Sequence, residues 1–306
     1  MNNKWVSFSP HMLSKVSTTK IYLTMMVLLC PILACAIILL GFNPLLLVVV
    51  SMLSCYVTDL AFKYIVNKSY DYTDVSALFI GLIIGLAMPS GASWYVPILG
   101  SCFSIIFIRN ISGGIGKNFV SEIAVAVLIS NLVFNIDYYL FALSSGEIVS
   151  TSALDSIMSG DIVGIDAQAL LFGGYASSIA ETAVLWLIIA GILMICFKLI
   201  DFRVPVTTIV SVFVFALLFY DLNRAVNLTL TGGVLLGAFF MATDYAVVPR
   251  NRIIKYVYSV LIGFITVLIW KYGHYEMAIY YAIVIAGLLS SVFSGLTSSY
   301  KHSKVR

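Results

Sequence analysis

Gly81-Leu82-Ile83-Ile84-Gly85-Leu86-Ala87-Met88 and Gly233-Val234-Leu235-Leu236-Gly237-Ala238-Phe239-Phe240-Met241 are two apolar runs built on the same G-x-x-x-G spacing. Each is followed within eight residues by a proline, Pro89 and Pro249. Glycines four apart share a helical face and let a neighbouring backbone approach closely, the packing that joins helices in lipid. The rest of the chain agrees with such a setting. Of its 306 residues 61 % are hydrophobic and 10 % charged, and the mean hydropathy is +1.05. An average soluble chain has roughly 45–50 % and 25 %. The composition therefore points to an all-α polytopic membrane protein. A net charge of +3 from 17 basic and 14 acidic residues excludes a nucleic-acid partner. Seven Pro and 21 Gly exclude a collagen-like or disordered chain.

Apolar runs between turn-forming residues give ten spans, near 20–40, 44–65, 75–88, 94–109, 121–140, 182–199, 204–220, 228–243, 253–270 and 276–294. A full crossing needs about 20 residues, so the third, fourth and eighth are short and read as weakly tilted or broken helices. The two glycine motifs fall in the third and eighth spans. Five spans is an odd number, so the second copy runs in the opposite sense, as in an inverted repeat whose interrupted helices meet near the midplane. The expected organisation is an N-terminal segment 1–19, a five-helix half 20–140, a loop 141–181, a second half 182–294 and a basic tail 295–306.

Lys and Arg sort with this count. With the N-terminus inside, fifteen of the 17 fall on inner segments, and only Arg224 and Lys271 fall outside. The expected location is the cell inner membrane, with both termini cytoplasmic. Lys20 precedes an apolar run too long for a signal-peptide core, which reads as a retained first helix. Cys30, Cys35, Cys55, Cys102 and Cys196 lie within spans at no metal-ligand spacing, as small packing residues do.

The loop 141–181 contains no Lys or Arg and is rich in Ser, with Glu147, Asp155, Asp161, Asp166 and Glu181 setting its sign. It reads either as a solvated linker between halves or as a site of modification or docking. Ionisable residues inside spans mark function by default. Asp59 lies in the second span, Glu122 opens the fifth, Asp137 closes it, and Asp244 follows Thr243 at the end of the eighth. Asp59, Asp244 and Thr243 are ion-pathway candidates. For Asp59 the alternative is an i,i+4 pair with Lys63 reaching the inner interface.

Six stretches in order now resemble one family: Ser9-Pro10-His11; Ser76-Ala77-Leu78 with Gly81, Leu82 and Pro89; Gly113-Gly114-Ile115-Gly116-Lys117-Asn118; Ser178-Ile179-Ala180-Glu181-Thr182; Gly237 to Asp244; and Tyr272-Gly273-His274-Tyr275-Glu276. They resemble the NqrB/RnfD family, and at this length its Rnf branch. The resemblance implies ten helices in two inverted halves. It also implies a subunit of a complex that passes electrons between ferredoxin and NAD⁺ while exporting Na⁺ or H⁺. Partners would be the other Rnf-type membrane and peripheral subunits, since the chain has no G-x-G-x-x-G after a strand and no iron–sulfur Cys pattern. A flavin transferase would attach FMN by its phosphate to a loop hydroxyl after the fifth helix. The resemblance leaves room for a second, non-covalent flavin. No residue of the chain is assigned a catalytic role.

The chain looks like a divergent member. The family's flavin segment resembles D-x-x-[ST]-x-A-T-P-L, where this chain has Glu147-Ile148-Val149-Ser150-Thr151-Ser152-Ala153-Leu154-Asp155. Aligning on Leu154-Asp155 makes Ser152 the acceptor, with Thr151 next. After Asn118 the family's Phe-Asn-Pro-Ala is replaced by Phe119-Val120-Ser121-Glu122, and after Asp244 its Pro-Val-Thr by Tyr245-Ala246-Val247. A standalone transporter or channel of similar fold, or a scaffold subunit without flavin, are the alternatives; fold alone does not separate them.

Overall fold

A computed structural model describes residues 18–67, 75–114, 116, 118–135, 140–143, 147–159, 167–173, 175, 177–231, 233–273 and 276–303. Ser9-Pro10-His11, Ile115, Lys117, Asp137, Asp161, Asp166, His274 and Tyr275 lie outside the described residues. The chain is mainly helical, and helix occurs at every one of the ten apolar runs. The first half comprises α1 (Thr18–Leu40), α2 (Asn43–Phe62), α3 (Ser76–Ala87), α4 (Val96–Phe103) and α5 (Glu122–Val133). A two-stranded hairpin follows, β1 (Phe141–Ala142) with β2 (Ile148–Val149), then α6 (Ala153–Ser159) and α7 (Ala167–Phe172). The second half comprises α8 (Val184–Cys196) with a tight turn of helix before it, α9 (Arg203–Leu217), α10 (Leu222–Leu230), α11 (Val234–Leu236), α12 (Arg252–Tyr272) and α13 (Ala278–Ser303).

Local chemistry sets the ends. Gly41 at φ +82° closes α1, its N–H bonding Ile37 O at 2.9 Å, and Pro44 sits in the first turn of α2. Ser121 caps α5 by accepting from the Ala124 N–H, and Asn251 caps α12 by accepting from Ile253. Three helices widen into i→i+5 turns: α2 at Lys63–Asn67, α4 at Ser104–Asn110 and α11 at Gly237–Met241. Such turns re-aim side chains and recur at functional sites.

Among the described residues, four helices are long and apolar enough to cross a membrane, Thr18–Leu40, Asn43–Val66, Ile179–Cys196 and Arg252–Tyr272. A fifth joins them if Leu222–Leu230 and Val234–Met241, bent by 59°, make one broken span. The reading of the eighth run began at 228 and missed most of α10. Asp221, Asn223, Arg224 and Asn227 interrupt its hydrophobicity, whereas Ala225 and Leu228 bury one face. Large apolar side chains such as Val27, Ile38, Leu53, Val210 and Ile192 are exposed around the bundle, a surface suited to lipid.

The two glycine-motif helices form the centre. Every residue of Ser76–Ala87 except Leu78 is buried, as is Val234 through Thr243. Gly81 and Gly85 bring α3 so close to α2 that an added Cβ would lie 2.5 Å from Met52 Cα and 2.6 Å from Val48 Cα respectively. Beyond α3 the chain extends, and Pro89 pairs antiparallel with Ser178. The Ile179 N–H donates to Met88 O at 3.0 Å, and the Ser90 N–H donates to Ser177 O at 3.3 Å. This bridge ties the end of α3 to the start of the second half.

Candidate functional site

The ends of α2 mark two polar clusters, about 24 Å apart at 1.5 Å per residue from Asn43 to Asp59. At one end Asn43 donates to the carbonyls of Ser90 and Ala92. At the other lies Asp59, only 2 % exposed. Lys63 Nζ stands 2.7 Å from Asp59 Oδ2 one turn on, so the i,i+4 pair forms, but around a buried carboxylate. From the wide turn of α4, Arg109 Nε approaches Oδ1 to 3.9 Å and Asn110 Nδ2 donates to the same oxygen at 3.3 Å. Arg109 is itself 1 % exposed and donates from Nη2 to Ser76 Oγ at the head of α3.

Glu122, 8 % exposed, opens α5 beside this group, where Ser104 Oγ from α4 donates to its carbonyl at 2.5 Å. The Asn118 amide bonds its carboxylate, and Arg109, Asp244 and Asp59 act on it electrostatically. Glu122 Oε2 and Asn118 Oδ1 are buried with no hydrogen-bond partner. Asp244 accepts from the Ala246 N–H at 3.1 Å, and Thr243 donates to Phe239 O at 2.6 Å. Glu122, Thr243 and Asp244 line one pocket with Tyr22, Phe79 and Phe240, about 440 Å³ with its open mouth included. Thr243 and Tyr245 also line a second of about 600 Å³, which reaches Asp201, Arg250 and Lys255. The structure thus collects Asp59, Thr243 and Asp244 at one end. Sequence reading missed their connection through Arg109, which it had placed on an inner segment as a topological cation.

Next to the second cavity, Lys255 Nζ donates to Asp201 Oδ2 at 2.6 Å, joining the α8–α9 turn to α12. Partial burial pushes the Asp201 carboxyl up. The bonds from Lys255 and the Arg203 N–H, with both cationic charges, outweigh it and hold the group below its ordinary value.

The loop after α5 docks at the opposite end. Ser152, 2 % exposed, caps α6 by accepting from the Asp155 N–H at 3.0 Å, and its hydroxyl donates to Glu276 just before α13. Burial raises the Asp155 carboxyl, against hydrogen bonding to that carboxyl from the Ser152 backbone and side chain. Ala153, Leu154 and Ile157 pack with Leu228, Val267 and Trp270, so the described part of the loop is not a free linker. Thr151, one residue before the cap, is exposed. Nearby, the Glu181 carboxylate accepts from the Gly233 N–H, joining two of the sequence motifs. Ser152 and Thr151 thus lie at the far end from Asp59, Thr243 and Asp244.

The sequence pattern of the NQR2, RnfD, RnfE family matches residues 5–301. The chain is 29 % identical over 300 residues to the D subunit of the Na⁺-translocating ferredoxin:NAD⁺ oxidoreductase complex of Acetobacterium woodii, covering 96 % of this chain and 94 % of that one. It is 24 % identical over 322 residues to the D subunit of the proton-translocating ferredoxin:NAD⁺ oxidoreductase complex of Clostridium ljungdahlii, covering 97 % and 95 %. It is also 24 % identical over 292 residues to the D subunit of the ion-translocating oxidoreductase complex of Methanosarcina acetivorans, covering 95 % and 94 %.

Proposed function

The chain belongs to the NQR2, RnfD, RnfE family, and from that premise we propose that it is the D-type membrane subunit of an Rnf complex, coupling ferredoxin:NAD⁺ electron transfer to movement of Na⁺ or H⁺. The observation that carries this reading is similarity along nearly the whole chain to the D subunits of ion-translocating complexes. The names of these relatives include both ions, so they do not choose between them.

In this reading each apolar helix is one crossing, α10 and α11 forming a single broken span, and the ten crossings make two inverted five-helix halves in the cell inner membrane. The glycine-motif helices at the centre are then the third and eighth crossings. The distribution of Lys and Arg supports cytoplasmic termini. A C-terminal reporter that fluoresces only in the cytoplasm is expected to be bright, and dark when moved to Glu147. The reverse pattern defeats this topology.

We further assign the loop after α5 as the carrier of covalent FMN, attached by a flavin transferase. A phosphoester needs an accessible hydroxyl on an adaptable segment. Thr151 meets that need; Ser152, favoured by alignment, is buried as a helix cap against Glu276. Bound there, flavin would supply one- and two-electron redox chemistry, while the chain determines its position and surroundings. Co-expression with a transferase, in-gel flavin fluorescence and peptide mapping test this. An FMN-sized adduct on the 147–157 peptide should vanish in Thr151→Ala and persist in Ser152→Ala. The opposite pattern makes Ser152 the acceptor, and no adduct with a competent transferase removes the flavin assignment. Co-purification with the other components of the complex decides membership separately: a chain that purifies alone under conditions preserving the complex is the transporter of the alternative reading.

A further inference from the structure

At one end of the bundle Arg109 stands 3.9 Å from Asp59 and acts electrostatically on the carboxylates of Glu122 and Asp244. Asp59 is answered by Lys63, Arg109 and Asn110. Glu122 is not: its Oε2 is buried without a donor, and so is Oδ1 of Asn118, the residue whose amide bonds the same carboxylate. Each is a buried acceptor oxygen without a donor, which is costly to maintain unless a proton or a cation satisfies it. Among the described residues, three carboxylates face two cations, Lys63 and Arg109, which leaves one negative charge over. Oxygen donors and a deficit of one charge suit a hard monovalent cation. A divalent ion would overshoot the balance, and Mg²⁺ gives up its water reluctantly.

Two cavities share a wall here. The cavity that Glu122 and Asp244 line meets the larger one beside Arg250 and Lys255 across Thr243 and Tyr245. At this shared wall the Tyr245 hydroxyl donates to Leu199 O.

We propose that Glu122 Oε2, Asn118 Oδ1 and the Asp244 carboxylate bind one dehydrated monovalent cation, Na⁺, reached past Thr243 and Tyr245. This rests on reading the chain as an ion-translocating subunit and adds to it the ion and its ligands. Glu122 is also a point where the chain departs from the family pattern, so the site belongs to this chain's own sequence.

The full chain in nanodiscs, compared in NaCl and in choline chloride at equal ionic strength, provides the test. Na⁺ is expected to raise Tm by a few degrees over choline, because it binds only the folded state. It should also slow carbodiimide labelling of Glu122 about tenfold when present at about ten times its Kd. Glu122→Gln and Asn118→Leu should abolish the Na⁺-specific rise, and Glu122→Asp should retain part of it. A wild type that melts identically in both salts overturns the site. So does a Na⁺-specific rise that survives Glu122→Gln, which places the ion elsewhere. Labelling of Glu122 that Na⁺ never slows identifies a bound proton in place of a cation and also overturns it. Each of these results leaves membership in the complex standing, because co-purification with its other components is read independently of the salt.

Discussion

Arg109→Met is expected to be among the most destabilising single substitutions in the protein, costing about 3–5 kcal/mol as breaking a buried ion pair does. Arg109 is 1 % exposed, approaches Asp59 Oδ1 to 3.9 Å, bonds Ser76 Oγ, and is the cation acting on Glu122 and Asp244. Methionine fills a similar volume, so the loss reports charge more than packing. It leaves Lys63 as the described cation facing three carboxylates. Removing one of those charges should recover part of the cost: Arg109→Met with Asp59→Asn is expected to melt above Arg109→Met alone. Arg109→Lys should fall between wild type and Arg109→Met, since it restores the charge but not the planar fork that reaches Asp59 and Ser76 together. Thermal or denaturant unfolding in detergent measures all four proteins. If Arg109→Met melts with the wild type, the cluster is not an organising element of the fold.

That cluster was only partly legible in the sequence. Asp59, Thr243 and Asp244 could be singled out because a polar residue in an apolar run is conspicuous. Arg109 could not, because a cation at the end of a span is also what membrane topology demands. Its burial depends on the wide turn of Ser104–Asn110, and no spacing rule announces an i→i+5 turn. Glu122 was noticed, yet its relation to Asn118 and Asp244 arises from tertiary packing alone. Helix positions were far easier to read, since long apolar runs must satisfy their backbone within themselves when no water is present. Where that reading slipped, at α10, the helix is amphipathic, and a criterion of continuous hydrophobicity passes over it. The hydroxyl pair in the loop shows a further limit. Ser152 and Thr151 are adjacent and chemically alike, and only the docking of α6 against Trp270 and Glu276 makes one buried and the other free.

The two glycine motifs read alike in sequence but should respond differently to the same substitution. An added Cβ at Gly81 meets backbone: Met52 Cα at 2.5 Å, Ser51 O at 2.8 Å and Met52 N at 2.9 Å. Backbone cannot rotate away, so Gly81→Ala must push α2 and α3 apart, at an expected cost of about 1–3 kcal/mol. At Gly237 the Cβ meets Ile279 Cγ1 at 2.7 Å and Ile283 Cδ1 at 3.2 Å, side-chain atoms where Gly81 meets backbone. Gly237→Ala should therefore cost less than Gly81→Ala, helped by alanine's better helix propensity. In lipid, where helices associate through packing contacts, a displacement at Gly81 is not compensated by hydrophobic burial. It also propagates, because Asp59 lies about two turns along α2 from Met52 and depends on that helix for its distance to Arg109. Gly81→Ala is accordingly expected to lower Tm more than Gly237→Ala and to weaken the Na⁺-specific rise in Tm assigned to the Glu122 site. Equal melting of the two variants would mean that close backbone contact is not what the first motif provides, and that the approach of α3 to α2 is set by other residues.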